Sequence, residues 1–291
     1  MPVWHEATRA WRDRGELIVL GITQEQHADR CRLFAQWHGI KWPILHDPIN
    51  VMRIGVVPVF QAIDEHGIVR QRGPRLDTFE ADFLNREFAD DAPGEEPAVP
   101  TPPALATGAA LDDFVRNMHD LGDAESLRRA GDALVLWGGP PRVDDAIAAY
   151  RGSLDAAPDD GDALFRLGVC WRMRHESPLR RGGDFQRAID SWGRALDQNP
   201  NQYIWRRRIQ QYGPRLIKPY PFYDWAAQAA EEIAARGDEP VELHVAPSGA
   251  EIARPSRKSE WNAVQAESPD PDGRIVRDLE GLIRAEVVVV P

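Results

Sequence analysis

A segment rich in proline and acidic residues divides the chain into two regions with different sequence patterns. Residues 91–107 read DAPGEEPAVPTPPALAT, and no helical or strand periodicity runs through them. Proline fixes φ and removes a backbone donor, so this composition favours an extended linker. Short apolar runs alternate with helical stretches before it, whereas the pattern after it is mainly helical. The 291 residues are therefore predicted to form two domains, or two and a fragment.

The predicted division has four parts: an α/β domain over 1–90, the linker over 91–108, an all-α domain over 109–237 and a small β unit over 238–291. In the last part, Val241–Val245 alternates between apolar and polar residues, and Ala285–Val290 reads AEVVVV. Both patterns are typical of strands.

Charge and composition exclude several classes of partner. The net charge of −11 argues against a general affinity for nucleic acid or an anionic membrane surface, since both need a positive patch. No run approaches the roughly 20 apolar residues of a membrane helix, and no signal peptide follows Met1. Two cysteines exclude a disulfide scaffold. The default location is cytoplasmic, and the alternative is extracytoplasmic if a leader precedes Met1.

The first region alternates between helical and strand patterns. Its longest apolar run, ELIVLGI, has strand length and suits a central strand buried on both faces. A loop at Asp64–Gly67 separates two strands as a hairpin turn would. The predicted elements are helix 1–14, strand Glu16–Ile22, helix Gln24–Trp37, strand Trp42–Leu45, strands Val56–Ile63 and Ile68–Gln71, and helix Leu76–Phe88.

Short motifs in this order and spacing point to a known family. They are Leu20-Gly21-Ile22-Thr23, Gly39-Ile40, Trp42-Pro43-Ile44-Leu45, Asp47, Gly55-Val56-Val57-Pro58 and Ile63-Asp64-Glu65-His66-Gly67-Ile68-Val69. The first region resembles the thioredoxin-like redoxins. Within them, it is nearest to the peroxiredoxins, the alkyl hydroperoxide reductase and thiol-specific antioxidant type, and to membrane-tethered thiol–disulfide oxidoreductases. The resemblance implies a cis bond before Pro58 and a substrate-facing edge at Val57 and Pro58.

The resemblance also implies thiol–disulfide exchange or peroxide reduction, but the nucleophile is missing. Family members place a cysteine at the start of the first helix, where the helix N-terminus favours the thiolate. The matching helix, 1–14, contains no cysteine, and the strand before it is absent. Three explanations stay open: the cysteines lie upstream of Met1, the domain is a degenerate binding module, or Cys31 is a relocated nucleophile. An exposed sheet edge would also favour a homo-oligomer.

No metal and no cofactor are predicted. His27, His38, His46 and His66 have spacings that match no compact ligand pattern. The sequence has no phosphate-binding loop, nucleophile elbow or dinucleotide fingerprint. Cys31 is the only catalytic candidate, and its position in the middle of a helix is more typical of an inert core thiol.

The second region contains an internal repeat. Ala146, Tyr150, Ser153 and Pro158 recur at the same spacing as Ala188, Trp192, Ala195 and Pro200. Leu164, Leu167-Gly168 and Trp171 fit the first helix of a unit, and Glu176–Gly183 fits an insertion. The pattern resembles tetratricopeptide repeats, whose helix pairs cross at small residues and end before proline. An ordinary helical bundle is the alternative.

A repeat array implies a concave face that binds a protein partner. Five arginines are candidates to line it and to favour an acidic partner: Arg166, Arg172, Arg174, Arg206 and Arg208. The alternative is that they form a solvated face. The leading functional hypothesis is a redoxin with a recruiting scaffold and a dithiol or disulfide protein as substrate. The alternative is a non-enzymatic interaction scaffold.

Overall fold

The computed structural model of the chain describes residues 2–55, 57–89, 108–210 and 225–244. Helices dominate these ranges, as predicted, and the strands are short. The α-helices are α1 (Pro2–Ala7), α2 (Arg9–Asp13), α3 (Ala28–Trp37), α4 (Gly108–Leu121), α5 (Ala124–Ala133), α6 (Val143–Ala156), α7 (Gly161–His175), α8 (Asp184–Gln198), α9 (Tyr203–Gln210) and α10 (Trp225–Ala235). The strands are β1 (Gly21–Thr23), β2 (Ile44–His46), β3 (Gln61–Ile63) and β4 (Val69–Arg72).

The strands form two separate pairs within the described residues. β1 runs parallel to β2, with Ile22 opposite Leu45, and α3 connects them as a βαβ unit requires. β3 runs antiparallel to β4. The hairpin turn lies where the sequence predicts it, because the Asp64 carboxylate accepts hydrogen bonds from two turn N–H groups and Gly67 has a φ of 80°.

The long strand predicted over Glu16–Ile22 is wrong in extent. Only its end pairs, in β1, and residues 17–20 belong to no strand. Ile18 and Leu20 are 81% and 56% exposed, so the run is not buried on both faces. A strand needs hydrogen bonds from a neighbour, and an apolar run alone does not supply them.

Three other predicted elements of the first region also shrink. Strand Trp42–Leu45 becomes β2, and strand Val56–Ile63 becomes β3. Helix Leu76–Phe88 is reduced to a π-helix over Glu80–Leu84, although its apolar side packs as expected. Phe79 and Phe83 are buried there against Trp4 and Trp11 of the N-terminal helices.

Helix Gln24–Trp37 begins four residues later than predicted, at Ala28. The side chain of Thr23 accepts a hydrogen bond from the N–H of Glu25, and His27 has an extended backbone. Residues 24–27 therefore form a bend between β1 and α3. The predicted end is confirmed, since Gly39 has a φ of 61° and its N–H bonds to the Gln36 carbonyl.

Consecutive helices from α4 to α9 pack on each other around one apolar core. Pro158 and Pro200 lie between helices, and Glu176–Gly183 is the connection between α7 and α8, as the repeat pattern predicts. Gly168 of α7 lies against the indole of Trp192 of α8, which is fully buried and donates to the Phe165 carbonyl at 3.1 Å. Helices α7 and α8 therefore approach each other closely at a residue without a side chain.

The last described helix packs on the first region of the chain. Leu33 of α3 and Ile233 of α10 share a small buried cluster, and the rings of Trp37 and Trp225 stack at 6.1 Å. The strand predicted over Val241–Val245 is wrong for residues 241–244, which form no strand and bond to α3 instead. The linker over 91–107 and the strand predicted over Ala285–Val290 lie outside the described residues.

Candidate functional site

Both cysteine thiols lie in environments that oppose ionisation. The Cys31 Sγ donates a hydrogen bond to Thr23 Oγ1 at 3.1 Å, and burial raises the pKa of this thiol to about 11. Cys170 of α7 is fully buried, and burial raises its pKa as well. A thiolate is the nucleophilic form, so neither cysteine is poised for thiol chemistry near neutral pH.

A cleft of about 250 Å³ borders Cys31 between α3 and the parallel strands. His46 also borders it, with Nε2 at 2.5 Å from the Glu25 carbonyl. Burial lowers the pKa of His46, so its imidazole is neutral at pH 7. A neutral imidazole cannot stabilise a thiolate by its charge, so His46 does not activate Cys31.

The substrate-facing edge implied by the resemblance is accessible. The Val57–Pro58 peptide bond is cis, which confirms that prediction. Val57 is 39% exposed and Val59 is 47% exposed, and Pro58 is also exposed. Residues 57–59 belong to no strand. This edge thus offers apolar side chains and backbone groups to a neighbouring segment.

Three of the five candidate arginines bond within the helical region. Arg174 is buried, and its guanidinium contacts Asp184 and Asp144 at 2.6 Å each. Arg172 is buried and pairs with Glu176 at the end of α7. Arg206 is half-buried and donates to the Pro200 carbonyl. These three side chains hold helices and their connections together.

The other two candidates, Arg166 of α7 and Arg208 of α9, reach the first region of the chain. Arg166 donates from Nε to the Ile49 carbonyl at 3.2 Å. Arg208 donates from Nη2 to the carbonyls of Gln24, at 2.7 Å, and of Pro48, at 3.1 Å. Both arginines are at most 3% exposed. The described acceptors of Arg166 and Arg208 thus belong to the same chain. That the five arginines bind an acidic partner stays a prediction.

The segment that they bind, Asp47–Arg53, is hereafter the docking turn. The Asp47 carboxylate accepts from the N–H groups of Val51 and Met52, and Asn50 has a φ of 53°. These contacts fix a tight turn that projects Ile49 away from its own strands. Ile49 is fully buried and belongs to the core cluster of the helical region. The docking turn therefore inserts an apolar anchor between α7 and α9.

Polar pairs surround this anchor. The imidazole Nε2 of His27 lies 3.0 Å from the Glu176 carboxylate, which also accepts from Gln26 at 3.3 Å. Arg53 lies 3.3 Å from Asp162 near the start of α7. The contact thus combines an apolar anchor with polar pairs near both ends of α7.

Sequence reasoning missed the docking turn and named only its arginine partners. Asp47 and Pro48 indicate a turn, but a single isoleucine within a turn gives no periodic signal. The sequence clue is an aliphatic residue placed between a proline and an asparagine.

Comparison with protein-family models, curated proteins and solved structures found no match to this chain. Within the described ranges, no three His, Cys, Asp or Glu side chains gather in a way that would hold a metal ion. None of the helices that the structure describes has the length and apolar character needed to cross a bilayer.

Proposed function

We propose that this protein is a non-enzymatic interaction scaffold, in which a thioredoxin-like module and a tetratricopeptide-like module bind protein segments. The observation that carries the proposal is the state of the thiols. Burial raises the pKa values of both Cys31 and Cys170, and it is the largest effect on each thiol. Binding, rather than thiol exchange, is then the chemistry that the accessible surfaces support.

The binding surface proposed for the first module is its uncovered sheet face. Ile22 and Leu45 are neighbours across the β1–β2 pair, and both are about half exposed. Leu20 and Ile18 continue the same side along the chain. Parallel strands are normally covered on both faces, and contiguous exposed apolar surface typically marks an interaction site. An extended apolar segment of a partner protein fits this face.

Binding of an extended polypeptide tests the proposal. The probe is fluorescently labelled insulin B chain with its cysteines alkylated, and the measurement is fluorescence anisotropy on the full chain. Ile22→Lys should weaken binding about tenfold or more, because it places a charge in the apolar face. Leu179→Lys, at an exposed leucine between α7 and α8, is the matched control and should bind like the parent. Absence of binding by the parent chain would overturn the proposal. A stable dimer in sedimentation would instead indicate that a second copy covers the face.

A redoxin activity, thiol–disulfide exchange or peroxide reduction, is the second candidate. It is favoured by the exposed apolar edge at Val57 and Pro58, where the family resemblance implies a substrate-facing surface. Reduction of insulin disulfides and consumption of peroxide by the purified chain test it. Turnover that disappears in Cys31→Ser would establish Cys31 as a nucleophile and would contradict the scaffold proposal. Turnover at background level would support that proposal.

A further inference from the structure

We propose that the surface between α7 and α9 is a peptide-recognition site that the docking turn occupies in this structure. The ligand class is a turn with one branched aliphatic anchor and adjacent outward-facing backbone carbonyls. A segment of another protein with this chemistry would compete with the docking turn for the same place. The site is separate from the uncovered sheet face. A failed binding test at one of these two surfaces therefore does not contradict the proposal for the other.

The anchor position defines the apolar part of the site. Ile49 is 0% exposed, whereas Val51 and Met52 of the same turn are exposed, and it joins the cluster that contains Phe165 and Trp205. The rings of Phe165 and Trp205 stack at 5.8 Å. A fully desolvated central residue is typical of an interface hot spot.

The two arginines recognise backbone rather than side chains. Arg166 and Arg208 donate to the carbonyls of Ile49 and Pro48, which any residue of a suitably shaped turn presents. This mode selects a backbone shape around one aliphatic side chain. It leaves the other side chains of the ligand free to vary.

Contacts within the helical region hold these arginines in place. Asp132 of α5 lies 2.8 Å from the Arg166 guanidinium and also accepts from the Tyr150 hydroxyl at 2.7 Å. The Arg208 guanidinium lies 5.7 Å from the Phe165 ring centroid. The guanidinium groups are thus positioned by α5, α6 and α7, and a preformed site loses less conformational entropy on binding.

Two N–H donor atoms of Arg208 are also available to a ligand. Its Nε and Nη1 atoms are buried and have no hydrogen-bond acceptor among the residues that the structure describes. A buried donor without an acceptor is costly. A ligand that brings a carboxylate to this position would satisfy these donors, which the docking turn does not.

Exchange does not require the whole first region to leave. The docking turn is held at its rim by a contact of Arg53, which is 63% exposed, with Asp162. The separate packing of α10 on α3 keeps the first region attached while the turn withdraws. The docking turn therefore acts as a local competitor at high effective concentration.

The test uses the full chain and a fluorescent peptide with the sequence of residues 45–54, LHDPINVMRI. The unsubstituted chain should bind this peptide weakly, because its own turn fills the site. Ile49→Asp should release the turn and strengthen peptide binding at least tenfold, since the apparent affinity rises with the fraction of open sites. A peptide that carries aspartate in place of the isoleucine is the specificity control and should not bind.

Two further variants keep the test decisive. Ile49→Ala removes less of the anchor and should strengthen peptide binding by a smaller factor, which covers the case in which the aspartate variant fails to fold. Adding Arg166→Ala to either variant should abolish the gain, whereas adding Leu121→Asp, at an exposed leucine of α4, should leave it unchanged. Equal peptide binding by the unsubstituted chain and by folded Ile49 variants would overturn the proposal, and so would a gain that survives Arg166→Ala.

Discussion

At the scale of single residues, burial decides the chemistry of the two cysteines and of several histidines. Cys31 and Cys170 are kept protonated by desolvation, and His46 is kept neutral for the same reason. The position of Cys31 in the middle of a predicted helix indicates an unreactive thiol. It did not reveal that His46 borders the same cleft, because that juxtaposition depends on the pairing of β1 with β2.

Alkylation kinetics test the Cys31 environment directly. With a pKa of about 11, roughly one thiol in a thousand is ionised at pH 8, whereas about a quarter of ordinary thiols are. Iodoacetamide should therefore modify Cys31 at least a hundredfold more slowly than it modifies free cysteine, as followed by mass spectrometry. The urea-unfolded chain is the control and should react at the ordinary rate. A folded chain that reacts as fast as free cysteine would show an accessible thiolate.

The buried histidines predict a loss of stability in acid. Burial lowers the pKa values of His5, His38 and His46 in the folded chain. A group whose folded pKa is depressed stabilises the fold above its unfolded pKa of about 6.5, and this contribution is lost as pH falls through the folded value. Urea unfolding should therefore give a smaller free energy at pH 5 than at pH 7.5. His46→Gln keeps a donor for Glu25 and should reduce this difference, and an unchanged difference would exclude His46 as a contributor.

At the scale of elements, helices could be predicted from the sequence better than strands, because helical hydrogen bonds are local. The helices between Pro158 and Pro200 follow from the repeat pattern, because each closes its hydrogen bonds within itself. The strand over Glu16–Ile22 could not be predicted in the same way, since its length depends on a neighbour far away in sequence. The cis bond before Pro58 came from the family resemblance and not from any residue periodicity.

The α7–α8 crossing gives a prediction at this scale. A Cβ on Gly168 would overlap the indole of Trp192, which is fully buried and bonded to the Phe165 carbonyl. Overpacking of this kind typically costs about 1–3 kcal/mol, so Gly168→Ala should lower the free energy of unfolding by that amount. Urea titration measures the loss. Gly182→Ala is the matched control, because open space surrounds that position and stability should stay nearly constant. Equal stability of the two variants would contradict a close crossing.

At the scale of the whole molecule, contacts join the two regions. Neither the α/β pattern of the first region nor the helical repeat of the second predicts them. Arg166 and Ile49 are 117 residues apart in the chain, and Arg208 and Gln24 are 184 apart. The sequence predicts that these arginines bind an acidic partner, whereas their described acceptors in the first region are carbonyls of the same chain. Their targets are backbone carbonyls, which leave no mark in the sequence, so the contact could be found only from the fold.

Cutting the chain between the two regions tests how strongly they associate. Cleavage at a protease site introduced within residues 91–107 would break the covalent link between 1–90 and the helical region. We expect the two pieces to elute together in gel filtration, because Ile49 and the α3–α10 cluster are both buried at the contact. Combining Ile49→Asp with Ile233→Asp places charges at both apolar centres and should separate the pieces after cleavage. Leu121→Asp, at a residue that is 65% exposed, is the matched control and should leave them together. Separation of the unsubstituted pieces would show that the buried contacts do not hold the regions together in solution. The docking turn would then leave the surface between α7 and α9 even when no competing peptide is present.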